Sequence, residues 1–148
     1  MTTDKTLNAS LALASRFENI EVAERSLLDL CRRAGWPQDE DYWLVTALRE
    51  AVANAVRHGN KQDPARLVRL EYTVRNSTVT IRVEDEGEGF DPGEVPDPTD
   101  PANLLRPSGR GIFYMRQFMN RVEFRPTAHG GTAVVMERDL NTTEEEQV

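Results

Sequence analysis

Apolar positions change period several times along the chain, and those changes divide it into elements. Leu7, Ala9, Leu11 and Leu13 alternate with polar or small residues, the two-residue period of a strand with one buried face. From Asn19 the period lengthens. Ala23, Leu27, Leu30, Cys31 and Ala34 form one stripe of a helix that Asn19 is placed to cap and Gly35 to stop. A second helix opens around Pro37 and Asp39, turns Leu44, Val45, Leu48, Val52, Ala55 and Val56 toward a core, and closes at Gly59. Alternation then returns twice, in Val68, Leu70, Tyr72 and Val74 and in Val79, Ile81 and Val83. With Asn76-Ser77 between them these runs predict a hairpin.

The next stretch breaks every period. Pro92, Pro96, Pro98, Pro101 and Pro107 interrupt residues 91–107, where neither strand nor helix can continue, so a mobile loop is expected. After Gly111 the spacing of Ile112, Met115, Met119 and Val122 predicts a third amphipathic helix. Residues 122–125 and 132–138 make a second hairpin around Ala128-His-Gly-Gly131. Residues 1–140 are expected to form one domain, with 141–148 a short, acidic, disordered tail. The order is strand, helix, helix, two strands, loop, helix, two strands. Hairpins in place of repeated strand-helix-strand units predict an α+β fold: a two-layer α/β sandwich, its mixed sheet mostly antiparallel, with helices on one face.

Composition narrows the class. A chain of 148 residues, 39% hydrophobic and 29% charged, is long enough to bury a core without disulfides or a structural metal. With 25 acidic against 18 basic residues the net charge is -7, which argues against nucleic acid as a direct partner. Cys31 is the single cysteine, excluding an intrachain disulfide and a Cys-rich zinc site, and it reads as a small hydrophobe. No apolar run reaches membrane-spanning length and residues 1–6 lack the design of a signal peptide, so no membrane association and a cytoplasmic location are expected.

Chemistry concentrates in three segments. Glu50, Asn54 and His58 recur every four residues and line one helical face, as a general base, an amide ligand for magnesium and a ring donor could. A solvated helix face can also carry Glu and Asn, and His58 reads equally as a partner of the helix-end dipole. In Val83-Glu-Asp-Glu-Gly-Glu-Gly-Phe90, Asp85 stands at a strand end, where a carboxylate can accept a hydrogen bond from the exocyclic amine of adenine. Gly87 and Gly89 let the backbone pass close to a flat base, although Asp-x-Gly also marks ordinary surface turns. Pro107-Ser-Gly-Arg-Gly-Ile112 directly precedes the third helix, so its backbone N–H groups and Arg110 could meet a phosphate chain. A plain glycine-containing helix entry is the alternative there. No Walker-type run occurs, no dinucleotide fingerprint survives Pro92, and neither His58 nor His129 has companions for zinc.

Taken together, Glu50-x-x-x-Asn54 with His58-Gly59, Asp85-x-Gly87-x-Gly89-Phe90, Ser108-Gly-x-Gly111 and Gly130-Gly-Thr132 stand in the order and approximate spacing of the four boxes of the GHKL ATPases. Within that superfamily the chain resembles the small bacterial anti-sigma-factor serine/threonine kinases, over residues 7–138. The resemblance implies a Bergerat-type fold binding ATP and Mg2+. It implies Glu50 as the base toward an acceptor serine and Asn54 as the magnesium ligand. Asp85 would read the adenine amine with support from the Thr132 hydroxyl, Gly87 and Gly89 would shape the base pocket, and Ser108, Gly109, Arg110 and Gly111 would cover the phosphates. The arginine touching the transferred phosphate is Arg106 or Arg110, with Arg110 preferred. A sigma factor and an anti-anti-sigma antagonist are the implied partners, and a homodimer the implied assembly. A module that keeps ATP only as a structural ligand is the second reading. Phosphotransfer to histidine in trans is the third, discouraged by the absence of a phospho-acceptor helix pair.

Overall fold

The computed structural model describes residues 5–87 and 107–140, with side chains in the second stretch from residue 113 onward. Five strands and three helices make up these residues: β1 (Thr6–Ala14), α1 (Asn19–Ala34), α2 (Asp41–Asn54), β2 (Leu67–Arg75), β3 (Thr78–Glu84), α3 (Pro107–Phe118), β4 (Arg121–Pro126) and β5 (Thr132–Asp139). A 3-10 turn at Gln38–Glu40 leads into α2 and a π turn at Ala55–Gly59 extends it. The strands form one sheet in the order β1-β2-β3-β5-β4, and every pairing is antiparallel. The sheet expected as mixed is therefore purely antiparallel among the described residues. Hairpins supply β2-β3 and β4-β5, and the return of β5 beside β3 needs no parallel crossover.

Alternation fixes the register. Leu70, Tyr72 and Val74 on β2 sit opposite Val83, Ile81 and Val79 on β3, and Val83 and Ile81 in turn oppose Val134 and Met136 on β5, so one face of the sheet is apolar up to Arg138, which stands opposite Val79. A shift of one residue would expose the whole set. Over that face lie Ile20, Ala23, Leu27 and Leu30 of α1, Leu44, Leu48 and Val52 of α2, and Met115 of α3. Arg69, Glu71 and Arg75 occupy the opposite, exposed face, which leaves the helices on one side only. The hairpin turn at Asn76 takes φ 54°, a left-handed conformation that asparagine tolerates. Cys31 is buried in the core, and burial pushes its thiol up to about 11, as suits an unreactive packing residue.

Three local expectations change. Asn19 is the first residue of α1, not its cap, and its side-chain amide donates to the Ala14 carbonyl at 2.8 Å, tying the helix to the strand before it. Gly35 does stop α1, in the left-handed conformation at φ 75°. Val122 belongs to β4 and pairs with Met136, because α3 ends at Phe118. Val45 is only half-buried, and Ala47 and Ala51 take the core-facing positions of α2 instead. The expected loop at 91–107, apart from Pro107, and the tail at 141–148 lie outside the described residues.

The last inward position of β5 is charged. Arg138, 8% exposed, donates from Nε to Glu40 Oε1 at 2.6 Å, from Nη2 to Glu40 Oε2 at 3.3 Å and from Nη1 to the Phe118 carbonyl at 2.6 Å. Its guanidinium also stacks 5.6 Å from the Trp43 ring centre. One side chain thereby joins the start of α2, the end of α3 and the sheet, using the forked geometry that lysine lacks.

Candidate functional site

The site is organised around the exit of β3. Asp85 follows the last residue of that strand and is buried. Its main-chain N–H donates to the Thr132 carbonyl at 2.9 Å, continuing the β3-β5 ladder by one residue. Its Oδ1 accepts from the N–H groups of Gly87 at 2.9 Å and Thr132 at 3.1 Å. Among the described residues Oδ2 has no hydrogen-bond partner. Burial holds the Asp85 pKa above its ordinary value, opposed by the two backbone hydrogen bonds to Gly87 and Thr132 and with a smaller rise from Glu84. A buried carboxylate with one oxygen fixed and the other without a donor among the described residues is suited to receive one from a ligand.

Three glycines make room for that carboxylate. A methyl group on Gly59 would overlap Oδ2 of Asp85, one on Gly131 would overlap the Asp85 carbonyl oxygen, and one on Gly87 would overlap the Gly59 carbonyl. The end of α2, the exit of β3 and the start of β5 thus meet at contact distances that only glycine permits. Gly59 and Gly131 read in the sequence as a helix stop and a turn residue. Their role at Asp85 is steric, and the motif His58-Gly59 and the pair Gly130-Gly131 were the available signals.

Glu50 and Asn54 stand one helical turn apart on α2, both half-buried. They share a face, as their spacing requires. His58 does not continue the stripe regularly, because residues 55–59 form a π turn closed by the Asn60 N–H donating to the Ala55 carbonyl at 2.8 Å. π turns inside helices are frequent at functional sites. His58 is exposed, and its imidazole is held below its ordinary value by partial burial and by the Arg57 guanidinium. Both effects favour its neutral form, which weakens the case for a charged partner of the helix-end dipole.

Thr132 meets Asp85 through its main chain, a contribution the expected hydroxyl role did not include. Ser108, Gly109, Arg110 and Gly111 lie inside α3, which starts at Pro107, so they do not precede the helix. Proline suits a first helical position, and its placement puts Ser108 and Gly109 in the first turn, where backbone N–H groups lack intrahelical acceptors. Gly111 moves into the hydrogen-bonded part of the helix. Gly89 and Phe90 fall outside the described residues, as does Arg106, and the side chain of Arg110 is not among those described. The structure therefore brings Asp85, Gly87 and Thr132 into direct contact, and joins them through Gly59 to the helix that carries Glu50 and Asn54. No group of three or more His, Cys, Asp or Glu residues able to hold a metal occurs among the described residues.

A helix leading into a buried acid through closely packed glycines, on one side of an antiparallel sheet, has known counterparts. The family model for the histidine kinase-like ATPase domain matches residues 13–138, and the chain belongs to that family. The anti-sigma F factor of Clostridium perfringens is 32% identical over 103 residues, which span 67% of this chain and 72% of that protein. The serine-protein kinase RsbW of Listeria monocytogenes is 27% identical over 147 residues, 93% of this chain and 90% of that one. Among solved structures, the RsbU and RsbW domains of Rv1364c from Mycobacterium tuberculosis share the fold with a TM-score of 0.66 at 16% identity, over 90% of this chain and 32% of that chain. No helix among the described residues is long and apolar enough to cross a membrane.

Proposed function

We propose that this chain is an ATP-dependent protein serine/threonine kinase that sequesters a sigma factor and phosphorylates a serine of an anti-anti-sigma antagonist. The observation that carries the reading is Asp85: a buried carboxylate whose Oδ1 is fixed by two backbone N–H groups and whose Oδ2, with no donor among the described residues, suits a donor such as the amine of adenine. Membership of the ATPase family, and the names anti-sigma F factor and serine-protein kinase RsbW among relatives, support the same reading. In this reading Gly87 and Gly89 shape the base pocket and the Thr132 hydroxyl supports Asp85 toward the base. Ser108, Gly109, Arg110 and Gly111 cover the phosphates.

Magnesium fits the donor set without a protein cage. The ion takes few protein ligands and keeps several waters, so the Asn54 amide oxygen beside nucleotide oxygens suffices. When bound, it neutralises charge developing on the phosphates. Glu50 takes the proton as the acceptor serine oxygen bonds to the γ-phosphorus and the bond to the bridging oxygen of ADP breaks. Positioning and charge stabilisation supply most of the acceleration of such a transfer, which suits a single carboxylate on a rigid helix. The phosphate adds about two negative charges to the antagonist. Against a chain of net charge -7 that change favours release.

The proposal includes a homodimer and a cytoplasmic location. The edge strand β4 carries Arg121, Glu123, Arg125 and Pro126, which discourage further pairing, whereas the other edge, β1, has no charged residue in nine. The deciding experiment mixes the protein with ATP, magnesium and a candidate antagonist that carries an acceptor serine. Acid-stable phosphoserine on the antagonist is expected, lost in Glu50→Ala while ATP binding persists. Bound ATP with no phosphoserine refutes the kinase and leaves a module that holds ATP as a structural ligand.

A further inference from the structure

Asn60 belongs to none of the motifs above, yet it is 0% exposed. It follows the π turn directly. Its side-chain amide donates from Nδ2 to Ser15 Oγ at 2.7 Å and to the Leu67 carbonyl at 3.0 Å, and its Oδ1 accepts from the Glu86 N–H at 2.7 Å. Glu86 completes a ring, because its Oε1 accepts from the Leu67 N–H at 2.7 Å. Ser15 passes the network on by donating to the Arg66 carbonyl at 2.7 Å. Asn60 thus holds together the end of α2, the exit of β1, the entry of β2 and the exit of β3. Both main-chain groups of Leu67 are engaged by it or by Glu86.

The placement of the Glu86 N–H gives this ring its consequence. Glu86 separates Asp85 from Gly87, so the peptide that Asn60 grips lies within the segment whose Gly87 N–H fixes Asp85 Oδ1. Asn60 also adjoins Gly59, whose carbonyl is packed against Gly87 and whose α-carbon is packed against the Asp85 carboxylate. The backbone after Asn60 is strained: Lys61 and Gln62 hold φ of 51° and 60°, left-handed values that cost non-glycine residues free energy. Such a turn persists only where its surroundings over-determine it. The buried amide does so from one end, and the Gln62 N–H, donating to the Val56 carbonyl at 2.7 Å, does so from the other.

We propose that Asn60 is a positioning residue for nucleotide recognition: through the Glu86 N–H it sets where Asp85 stands relative to the helix bearing Glu50 and Asn54, and thereby sets the preference for adenine over guanine. This rests on the reading of Asp85 as the residue that meets the base. A fully satisfied buried amide restricts geometry more tightly than apolar packing, since every displacement breaks a hydrogen bond that water cannot replace.

The test measures ATP and GTP affinity and melting temperature of the full chain with Asn60→Ala, Asn60→Asp, Ser15→Ala and Asp85→Asn. Asn60→Ala is expected to reduce the ATP-over-GTP preference by about ten-fold, the scale of one misplaced charged hydrogen bond. Asn60→Asp keeps an acceptor for the Glu86 N–H while losing both donors, so it is expected to melt lower yet retain the preference. Ser15→Ala is expected to lower the melting temperature alone. An unchanged preference in Asn60→Ala overturns the proposal and leaves Asn60 a purely structural residue. Should Asn60→Ala not fold, loss of preference in Asn60→Asp overturns the route through Glu86, and its retention supports it. Asp85→Asn separates the two ideas: if it leaves the preference unchanged, the reading of Asp85 fails. If it alters the preference and Asn60→Ala does not, only the positioning role fails.

Discussion

Replacing Asp85 by asparagine changes one atom of the side chain and leaves its shape intact. Oδ1 can still accept from the Gly87 and Thr132 N–H groups, so the amide is oriented as the carboxylate was. The other position then becomes an NH2 group that faces the adenine amine donor to donor. A hydrogen bond to a charged group contributes about 1.5–3 kcal/mol, so ATP affinity is expected to fall roughly 10- to 100-fold. Stability is expected to hold or rise, because Asp85 is 8% exposed and burial already disfavours its charge. Guanine presents a carbonyl oxygen where adenine presents its amine, so the same variant is expected to shift preference toward GTP. Calorimetric titration with both nucleotides, alongside thermal melting, separates binding from folding. Unchanged ATP affinity in a folded Asp85→Asn protein refutes the assignment of this carboxylate to the base.

Three further outcomes follow from the same geometry. Gly59→Ala places a methyl group on the Asp85 carboxylate and is expected to cost about 1–3 kcal/mol of stability together with ATP affinity, whereas Gly35→Ala, at φ 75°, is expected to cost about 1 kcal/mol of stability alone; parallel urea melts and ATP titrations check the split, and equal ATP binding by both variants contradicts the packing. Arg138→Met leaves Glu40 and the Phe118 carbonyl without their partner, and breaking so buried a pair is expected to cost about 3 kcal/mol in urea denaturation, with an unshifted midpoint indicating that solvent screens it. The Asp85 pKa in the fold lies above its ordinary 3.8, so its charge opposes folding above that raised value and the penalty is relieved as pH falls through it. ATP binding needs the carboxylate and is expected to weaken over the same descent from neutrality, a dependence that Asp85→Asn abolishes; equal affinity across the range in wild type argues that Asp85 does not meet the nucleotide.

Much of the fold was legible because it rests on periodicity. The β2-β3 hairpin follows from two alternating runs around Asn76-Ser77, and the stripe of α1 and its stop at Gly35 follow from spacing and from the one residue that enters the left-handed region freely. The ends of elements were less legible. Asn19 has the chemistry of a cap, but the nearby Ala14 carbonyl is a better partner for its amide once β1 and α1 have packed. Pro107 is a helix breaker in an interior and a good first residue, and only the position of α3 against α2 decides which. The four-residue recurrence of Glu50, Asn54 and His58 presumes an unbroken α-helix, and the π turn at Ala55–Gly59 interrupts it.

By itself the sequence determined which residues alternate, which face is apolar, and that Glu50, Asn54, Asp85, Gly87 and Thr132 carry a recognisable order. These are properties of a residue and its near neighbours, where the period of the backbone turns spacing into direction. Only the tertiary structure decided what surrounds Asp85. The close packing of Gly59 and Gly131 against its atoms, the donation of the Thr132 N–H to Oδ1, the burial of Arg138 against Glu40 and the ring through Asn60, Leu67 and Glu86 all join positions far apart in the chain. Most of these contacts involve main-chain groups, which every residue but proline carries alike and which leave no trace in sequence until folding brings them to a side chain that needs them.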